Sequence, residues 1–255
     1  MPRGVLLDIA GVLTDGSKAI PGAVTVIAKL AEAGLPFRYV TNTTSKPKRR
    51  VLEALAAAGF PAEDRLLFTP VAAARSWLTE HGYSPHLLTN PDLAEDFTGL
   101  DPSLPQAVVV GDAGEGFTYE ALNDAFRLIL DGAPLLALAM NRRFTASDGR
   151  ITLDAGAFVA ALTYGSGAEP VVFGKPAPGF YAAACADIGC APAEAVMIGD
   201  DAEADVAGAL SAGIGRGILV QTGKYRAGDE TAFAPQPSAV VKDINAAIEM
   251  LLATP

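Results

Sequence analysis

Val5-Leu6-Leu7-Asp8-Ile9-Ala10-Gly11-Val12-Leu13 opens with an apolar run that stops on a carboxylate and is followed by a glycine. That is the signal of a short buried strand leading into a turn. Working outward, the same unit recurs. A helical pattern over residues 21–33 begins at Pro21 and stops at Gly34, and a second apolar run, 37–40, ends on Thr41. Residues 46–58 have helical period with Gly59 beyond them, and residues 66–68 read as a third strand. Short apolar runs alternating with longer alanine-rich segments predict a parallel sheet covered by helices.

From about residue 78 the register changes, where Pro85, Pro91, Pro102 and Pro105 interrupt the chain. A second series then begins, with strands at 107–110 and 135–139 and helices at 119–130 and 155–163. Near Pro170 the first pattern resumes, with strands at 171–173, 195–198, 218–220 and 239–241. The expected fold is α/β: a doubly wound parallel-sheet, Rossmann-like core made of residues 1–77 and 171–255, interrupted by a smaller α/β cap domain at 78–170.

Composition narrows the function. The 255 residues are 50% hydrophobic and 19% charged, which excludes a disordered tail, a collagen-like repeat or a disulfide-stapled miniprotein. Lys plus Arg number 19 against 29 Asp plus Glu, a net charge of -10 with no long basic run. Nucleic acid and anionic membrane are therefore not expected partners. No stretch reaches the roughly eighteen uninterrupted apolar residues of a membrane span. The apolar run before Asp8 is too short for a signal peptide. The two cysteines, Cys185 and Cys190, fall in what reads as one alanine-rich helix, and a reduced, cytoplasmic protein is the expectation.

In open parallel sheets, ligands sit outside the carboxyl ends of the strands. The polar residues there are Asp8, then Thr41-Asn42-Thr43-Thr44, then Asp200-Asp201 after Val196-Met197-Ile198-Gly199, with Lys175 after the strand expected to re-enter the core. Carboxylates crowded together repel, and a divalent cation is the usual compensation; Mg²⁺ takes a few oxygen ligands beside a phosphate. A lysine and hydroxyl or backbone donors would hold the remaining phosphate oxygens. A strand-end aspartate could attack phosphorus. Together these residues predict a phosphotransfer site.

Asp8-Ile-Ala-Gly-Val-Leu, Val40-Thr41-Asn42-Thr43, Gly174-Lys175-Pro176 and Gly199-Asp200-Asp201-Ala-Glu-Ala-Asp205 resemble, in order and spacing, the four motifs of the haloacid dehalogenase-like hydrolase superfamily. The cap position resembles the subfamily with a large α/β cap (IIA), and Ala155-Gly156-Ala157-Phe158 and Ile218-Leu-Val-Gln-Thr-Gly-Lys-Tyr-Arg226 look like one of its branches. The resemblance implies a Mg²⁺-dependent phosphohydrolase working through an aspartyl-phosphate. In it, Asp8 is nucleophile and Mg²⁺ ligand, and the Ala10 carbonyl is a second ligand. Thr41, Asn42, Thr43 and Thr44 bind the phosphoryl group, and Lys175 pairs with phosphate and Asp8. Asp200 and Asp205 serve the metal, the latter directly, through water or by a hydrogen bond, while Asp201 has no definite role. The cap is expected to close over a small phosphorylated substrate and to set specificity, and a homodimer through the cap is expected by analogy.

One departure matters. Superfamily phosphatases usually carry an acid/base aspartate two residues after the nucleophile, and the branch resembled here tends to have serine; this chain has Ala10. Loss of a positioned acid/base costs a factor of about 10² to 10⁴. The loss falls hardest on alkyl phosphate esters and least on pyrophosphate, phosphoramidates or acyl phosphates. The alternative is a weakly catalytic phosphate-binding or regulatory protein of the same fold. Simpler readings exist residue by residue: Asp8, Asp200 or Asp201 as helix caps, and Lys175 as a solvated loop lysine. Gly111-Asp112 copies the look of Gly199-Asp200 but lies in the cap without a later aspartate. Arg142, Arg143 and Asp154 are candidates for the cap's substrate side. The glycines at 213, 215 and 217 precede a strand and do not form a dinucleotide loop, and His81 and His86 lack further zinc ligands nearby.

Overall fold

A computed structural model describes residues 2–145 and 148–253. The chain divides into two units, one comprising residues 1–41, 49–68 and 175–255, the other residues 42–48 and 69–174.

The first unit is built on a six-stranded sheet whose order is Ala239–Val241, Arg216–Val220, Ala195–Gly199, Gly4–Asp8, Phe37–Val40 and Leu67–Phe68. All neighbouring strands run parallel. Gly4–Asp8 is buried throughout, as is Ala195–Gly199, which explains why both read as continuous apolar runs without alternation. Side chains still alternate between faces. Val5, Leu7, Val196, Ile198, Ile218 and Val220 join one cluster with Ile27 and Leu30 of the helix Ala23–Glu32 and with Ile248 and Leu251 of the helix Ile244–Ala253. The opposite face includes Leu219, packed with Ala202 and Val206. Helix Pro178–Ile188 lies against the strands Gly4–Asp8 and Phe37–Val40. Strand order reverses between Gly4–Asp8 and Ala195–Gly199, so the crevice beyond their carboxyl ends is a topological switch point.

The second unit has its own four-stranded parallel sheet, in the order Val171–Val172, Leu135–Ala137, Gln106–Val110, Ser84–Leu88. Its core gathers Val108, Val110, Ala125, Ile129, Leu135 and Val159, contributed by strands and by the helices Tyr119–Leu130 and Ala155–Ser166. This is the α/β cap inserted in the Rossmann-like core.

Several elements differ from the sequence reading. Residues 171–173 do not re-enter the core sheet: Val171 and Val172 pair with Leu136 and Ala137 at the edge of the cap sheet, and the division falls at Gly174. At the other end it falls at Thr69, not 78, because Pro70–His81 is a helix assigned to the second unit. Thr69 caps it by accepting from the Ala72 N–H at 3.1 Å, Pro70 stands in its first turn, and Gly82, at φ 70°, ends it. Ser84–Leu88 is a strand despite Pro85, which it accommodates as an edge strand with one neighbour. Cys190 lies outside the helix Pro178–Ile188, which stops at Gly189, φ 84°. The hairpins Thr14–Asp15 with Lys18–Ala19 and Arg143–Thr145 with Ile151–Leu153 were not anticipated. Among the described residues, no helix is long and apolar enough to cross a membrane.

Candidate active site

Asp8 is the last residue of its strand, and its side chain is buried with the Lys175 ammonium directly on Oδ1. Lys175 Nζ also donates to Asp205 Oδ1 at 2.6 Å. Lys175 is thus a buried bridge between two carboxylates far apart in sequence, and a solvated loop lysine is ruled out. Asp200 follows the neighbouring strand, and register explains the meeting: Leu7 pairs with Ile198 and Asp8 pairs with Val40. Asp8, Asp200 and Asp205 offer carboxylate oxygens that all lie within 4.8 Å of one another.

Asp205 comes back under Asp200 because residues Ala202–Ala207 form a wide, π-helical turn. Gly199 permits that return: a Cβ there would lie 2.1 Å from the Asp205 Cβ. Asp201 points into the same turn and accepts from the N–H groups of Glu203 and Ala204 at 3.1 and 2.9 Å, so it is a helix cap. Its second oxygen takes the Lys224 ammonium at 3.0 Å. Although burial raises the Asp201 pKa, the Ala204 N–H and Lys224 outweigh it and hold the carboxyl below its ordinary range.

The electrostatics are those of excess negative charge on buried groups. Burial pushes the Asp8 carboxyl up to about 7; Lys175 opposes this, while Asp205 and Asp200 reinforce it. Burial likewise pushes Asp200 up to about 6 against the Lys224 N–H. Burial favours the neutral amine of Lys175, but Asp205 and Asp8 overcome it and hold the group above the ordinary lysine range.

Whether the acidic cluster fits a divalent cation can be judged from its atoms. Asp200 Oδ2 accepts from the Lys224 N–H at 2.7 Å, whereas Oδ1 is buried with no hydrogen-bond partner. An orphaned carboxylate oxygen is costly in a dry interior unless a cation meets it. The Lys175 ammonium meets two of the three carboxylates, Asp8 and Asp205, so a further positive group of hard-oxygen preference beside Asp200 fits both charge and donor type.

The remaining expected residues divide between the units. Thr41 is buried and directly follows Val40, the residue paired with Asp8. Ala10 is exposed, and it bridges to Thr14 in the turn after the strand. Asn42, Thr43 and Thr44 belong to the second unit. There Thr44 Oγ1 accepts from the Asp112 N–H at 3.1 Å, so its hydroxyl oxygen already has a protein partner. Asp154 caps the helix Ala155–Ser166 through the Ala155 N–H at 2.7 Å.

Two residues with contacts at the cluster were not singled out from sequence, Thr222 and Lys224. They follow the strand Arg216–Val220, so the strand-end rule that found Asp8 and Asp200 would also have found them.

Comparison with known proteins agrees with this geometry. The family described as haloacid dehalogenase-like hydrolase matches residues 5–101, and the HAD-hydrolase-like family matches residues 172–247. The chain is 42% identical over 250 residues to haloacid dehalogenase-like hydrolase domain-containing protein 2 of Rattus norvegicus, covering 98% of this chain and 96% of that protein. It is 38% identical over 256 residues to the phospholysine phosphohistidine inorganic pyrophosphate phosphatase of Danio rerio, covering 98% and 94%. Among solved structures, a hypothetical protein of Pyrococcus horikoshii OT3 superposes with a TM-score of 0.87 at 26% identity over 97% of this chain and 99% of the other. In fold alone, the p-nitrophenyl phosphatase of Archaeoglobus fulgidus matches with a TM-score of 0.87 at 24% identity, covering 98% and 99%. With these relatives, and with a strand that ends on a buried carboxylate, a buried lysine bridge and an acidic turn at the switch point of a capped Rossmann-like core, the chain belongs to the haloacid dehalogenase-like hydrolase family and is a hydrolase.

Proposed function

We propose that this hydrolase releases phosphate from a small phosphorylated compound, with Asp8 as nucleophile and Mg²⁺ as cofactor. The observation that carries the reading is the single buried cluster in which Lys175 bridges Asp8 and Asp205 while Asp200 keeps an oxygen unpartnered. An Asp8 oxygen attacks phosphorus, the bond from phosphorus to the leaving group breaks with its electron pair, and an aspartyl-phosphate forms. Water then attacks that phosphate, returning the Asp8 carboxylate and inorganic phosphate. Asp8, Asp200, Asp205 and the Ala10 carbonyl would hold the cation. When bound, it supplies positive charge that lets two anions approach and that stabilises the transferring phosphoryl oxygens. Lys175 keeps Asp8 oriented and offsets negative charge, and Thr41, Asn42 and Thr43 supply phosphoryl donors.

Position 10 sets the substrate class. Alanine can neither protonate a leaving group nor activate water, so groups that leave without help are favoured: pyrophosphate, phosphoramidates and acyl phosphates. A relative whose name specifies phospholysine, phosphohistidine and pyrophosphate supports that choice. The test is phosphate release from a panel of these compounds, acetyl phosphate and an alkyl ester, with Mg²⁺, for wild type and Asp8→Asn. Asp8-dependent release of the first three classes is expected; equal trace rates for the two proteins across the panel refute the reading. Ala10→Asp addresses the alternative of a phosphate binder, at a position that is exposed. A gain of about 10² to 10⁴ in alkyl ester hydrolysis is expected from a positioned acid.

A further inference from the structure

The stretch from Ile218 to Arg226, which has no role in the mechanism, ends in a turn that touches Asp200 and the loop that follows Asp8. Lys224 donates its backbone N–H to Asp200 Oδ2 at 2.7 Å, leaving Oδ1 as the free oxygen of that carboxylate. Thr222 donates its hydroxyl to the Gly11 carbonyl. On its other side, Gly11 donates its N–H to the Thr14 carbonyl at 2.7 Å. The Gly11 N–H and the Ala10 carbonyl belong to one planar trans peptide and point in opposite directions. Anchoring Gly11 at both its N–H and its carbonyl therefore fixes where the Ala10 carbonyl points.

The approach is close enough that only glycine fits on either side. A Cβ on Gly11 would lie 2.0 Å from Asp200 Oδ2 and 2.8 Å from the Gly223 Cα. A Cβ on Gly223 would likewise lie 2.0 Å from Asp200 Oδ2 and 2.6 Å from the Gly11 Cα. Both glycines have positive φ, 80° and 61°, so any other residue would also be strained there.

We propose that Thr222-Gly223-Lys224 is the positioning element of the cation site: one turn, outside the four motifs, that aims Asp200 Oδ1 and the Ala10 carbonyl at a common point. Thr222 acts through Gly11 and touches neither cation nor substrate, so it is a positioning residue. This rests on the reading of Asp8, Ala10, Asp200 and Asp205 as the cation site; Lys224 Nζ faces Asp201.

The experiment measures Mg²⁺ affinity by calorimetry on the full, metal-stripped protein for wild type, Thr222→Val, Thr222→Ala and Thr222→Ser. Circular dichroism checks that each is folded, and phosphate release from pyrophosphate is measured in parallel. Partners that orient metal ligands are worth about 10- to 100-fold in affinity. Thr222→Val is expected to weaken Mg²⁺ binding by that factor, and Thr222→Ser, which keeps the hydroxyl, to restore it to within about threefold. Thr222→Ala removes the hydroxyl without adding a methyl group beside the Gly11 carbonyl, and it takes the place of the valine variant should that one not fold. Wild-type affinity in a folded valine or alanine variant overturns the positioning role, as does a serine variant as weak as the valine one. A wild type that binds no Mg²⁺ overturns it together with the cation site. Weakened binding in the valine variant, together with equal trace rates for wild type and Asp8→Asn across the substrate panel, leaves the positioning role standing and refutes the phosphatase reading, so the two failures are separable.

Discussion

Replacing Lys175 by methionine tests the charge balance of the site most directly. The ammonium is buried and bridges Asp8 and Asp205, so its removal leaves those two carboxylates beside Asp200 without the cation that joins them. Breaking a buried ion pair by deleting one partner costs about 3–5 kcal/mol. For a chain of this size each kcal/mol moves the thermal midpoint by about 2–4 °C, so a fall of roughly 6–20 °C at pH 8 is expected. Two conditions should shrink the loss. Below pH 6 the carboxyls take up protons, because Asp8 and Asp200 already sit at about 7 and about 6 with the lysine present, and lysine holds both down. Saturating Mg²⁺ stabilises both proteins, and the gap narrows by the ratio of their affinities: a roughly tenfold tighter site in the variant, where the competing ammonium is gone, returns about 1.4 kcal/mol. The assay is calorimetric melting of wild type and variant at pH 5.5 and 8, with and without Mg²⁺, alongside phosphate release, which should be lost throughout. An equal fall at both pH values, unaltered by Mg²⁺, would refute the claim that uncompensated charge governs this site.

Three further outcomes follow from the same geometry. Gly199→Ala should abolish turnover while leaving the sheet intact, because its Cβ would displace Asp205 from a position 2.1 Å away; activity within tenfold of wild type would contradict the placement of Asp205. Asp201→Ala should lower stability by about 1 kcal/mol through loss of a helix cap, measurable by denaturant titration, with a far smaller effect on turnover than Asp200→Ala. For pH dependence the sign is fixed: Asp8 and Asp200 hold protons in the metal-free fold up to about 7 and about 6, and a cation must displace them. Mg²⁺ affinity should therefore rise from pH 5 to pH 8 with release of protons, and a buffer-dependent calorimetric titration that shows none contradicts it.

The amino-acid sequence by itself determined the central core strands, since a strand buried on both faces has to be an apolar run, and Gly4–Asp8 and Ala195–Gly199 are short apolar runs bounded by turn signals. It also determined the chemistry of the strand ends, because parallel strands deliver their last residues to one edge, which is why Asp8, Thr41 and Asp200 were found together. Helix Pro70–His81 was equally legible, with Thr69, Pro70 and Gly82 as its start and stop signals, but the prolines beyond it drew the boundary to 78. Only tertiary structure decided that Val171–Val172 pairs with Leu136 and Ala137, because a strand of two residues carries no mark of which sheet it will join. Only tertiary structure could likewise show that Asp201 caps a turn while Asp205 reaches Lys175, since the two carboxylates are alike in sequence and differ in where a π-helical turn points them. The Thr222-Gly223-Lys224 contacts belong to the same class: the Lys224 N–H that meets Asp200 and the Gly11 carbonyl that accepts from the Thr222 hydroxyl are backbone groups, which leave no trace in residue identity. Residue type reports what a side chain can do, and long-range packing selects which of those capacities is used.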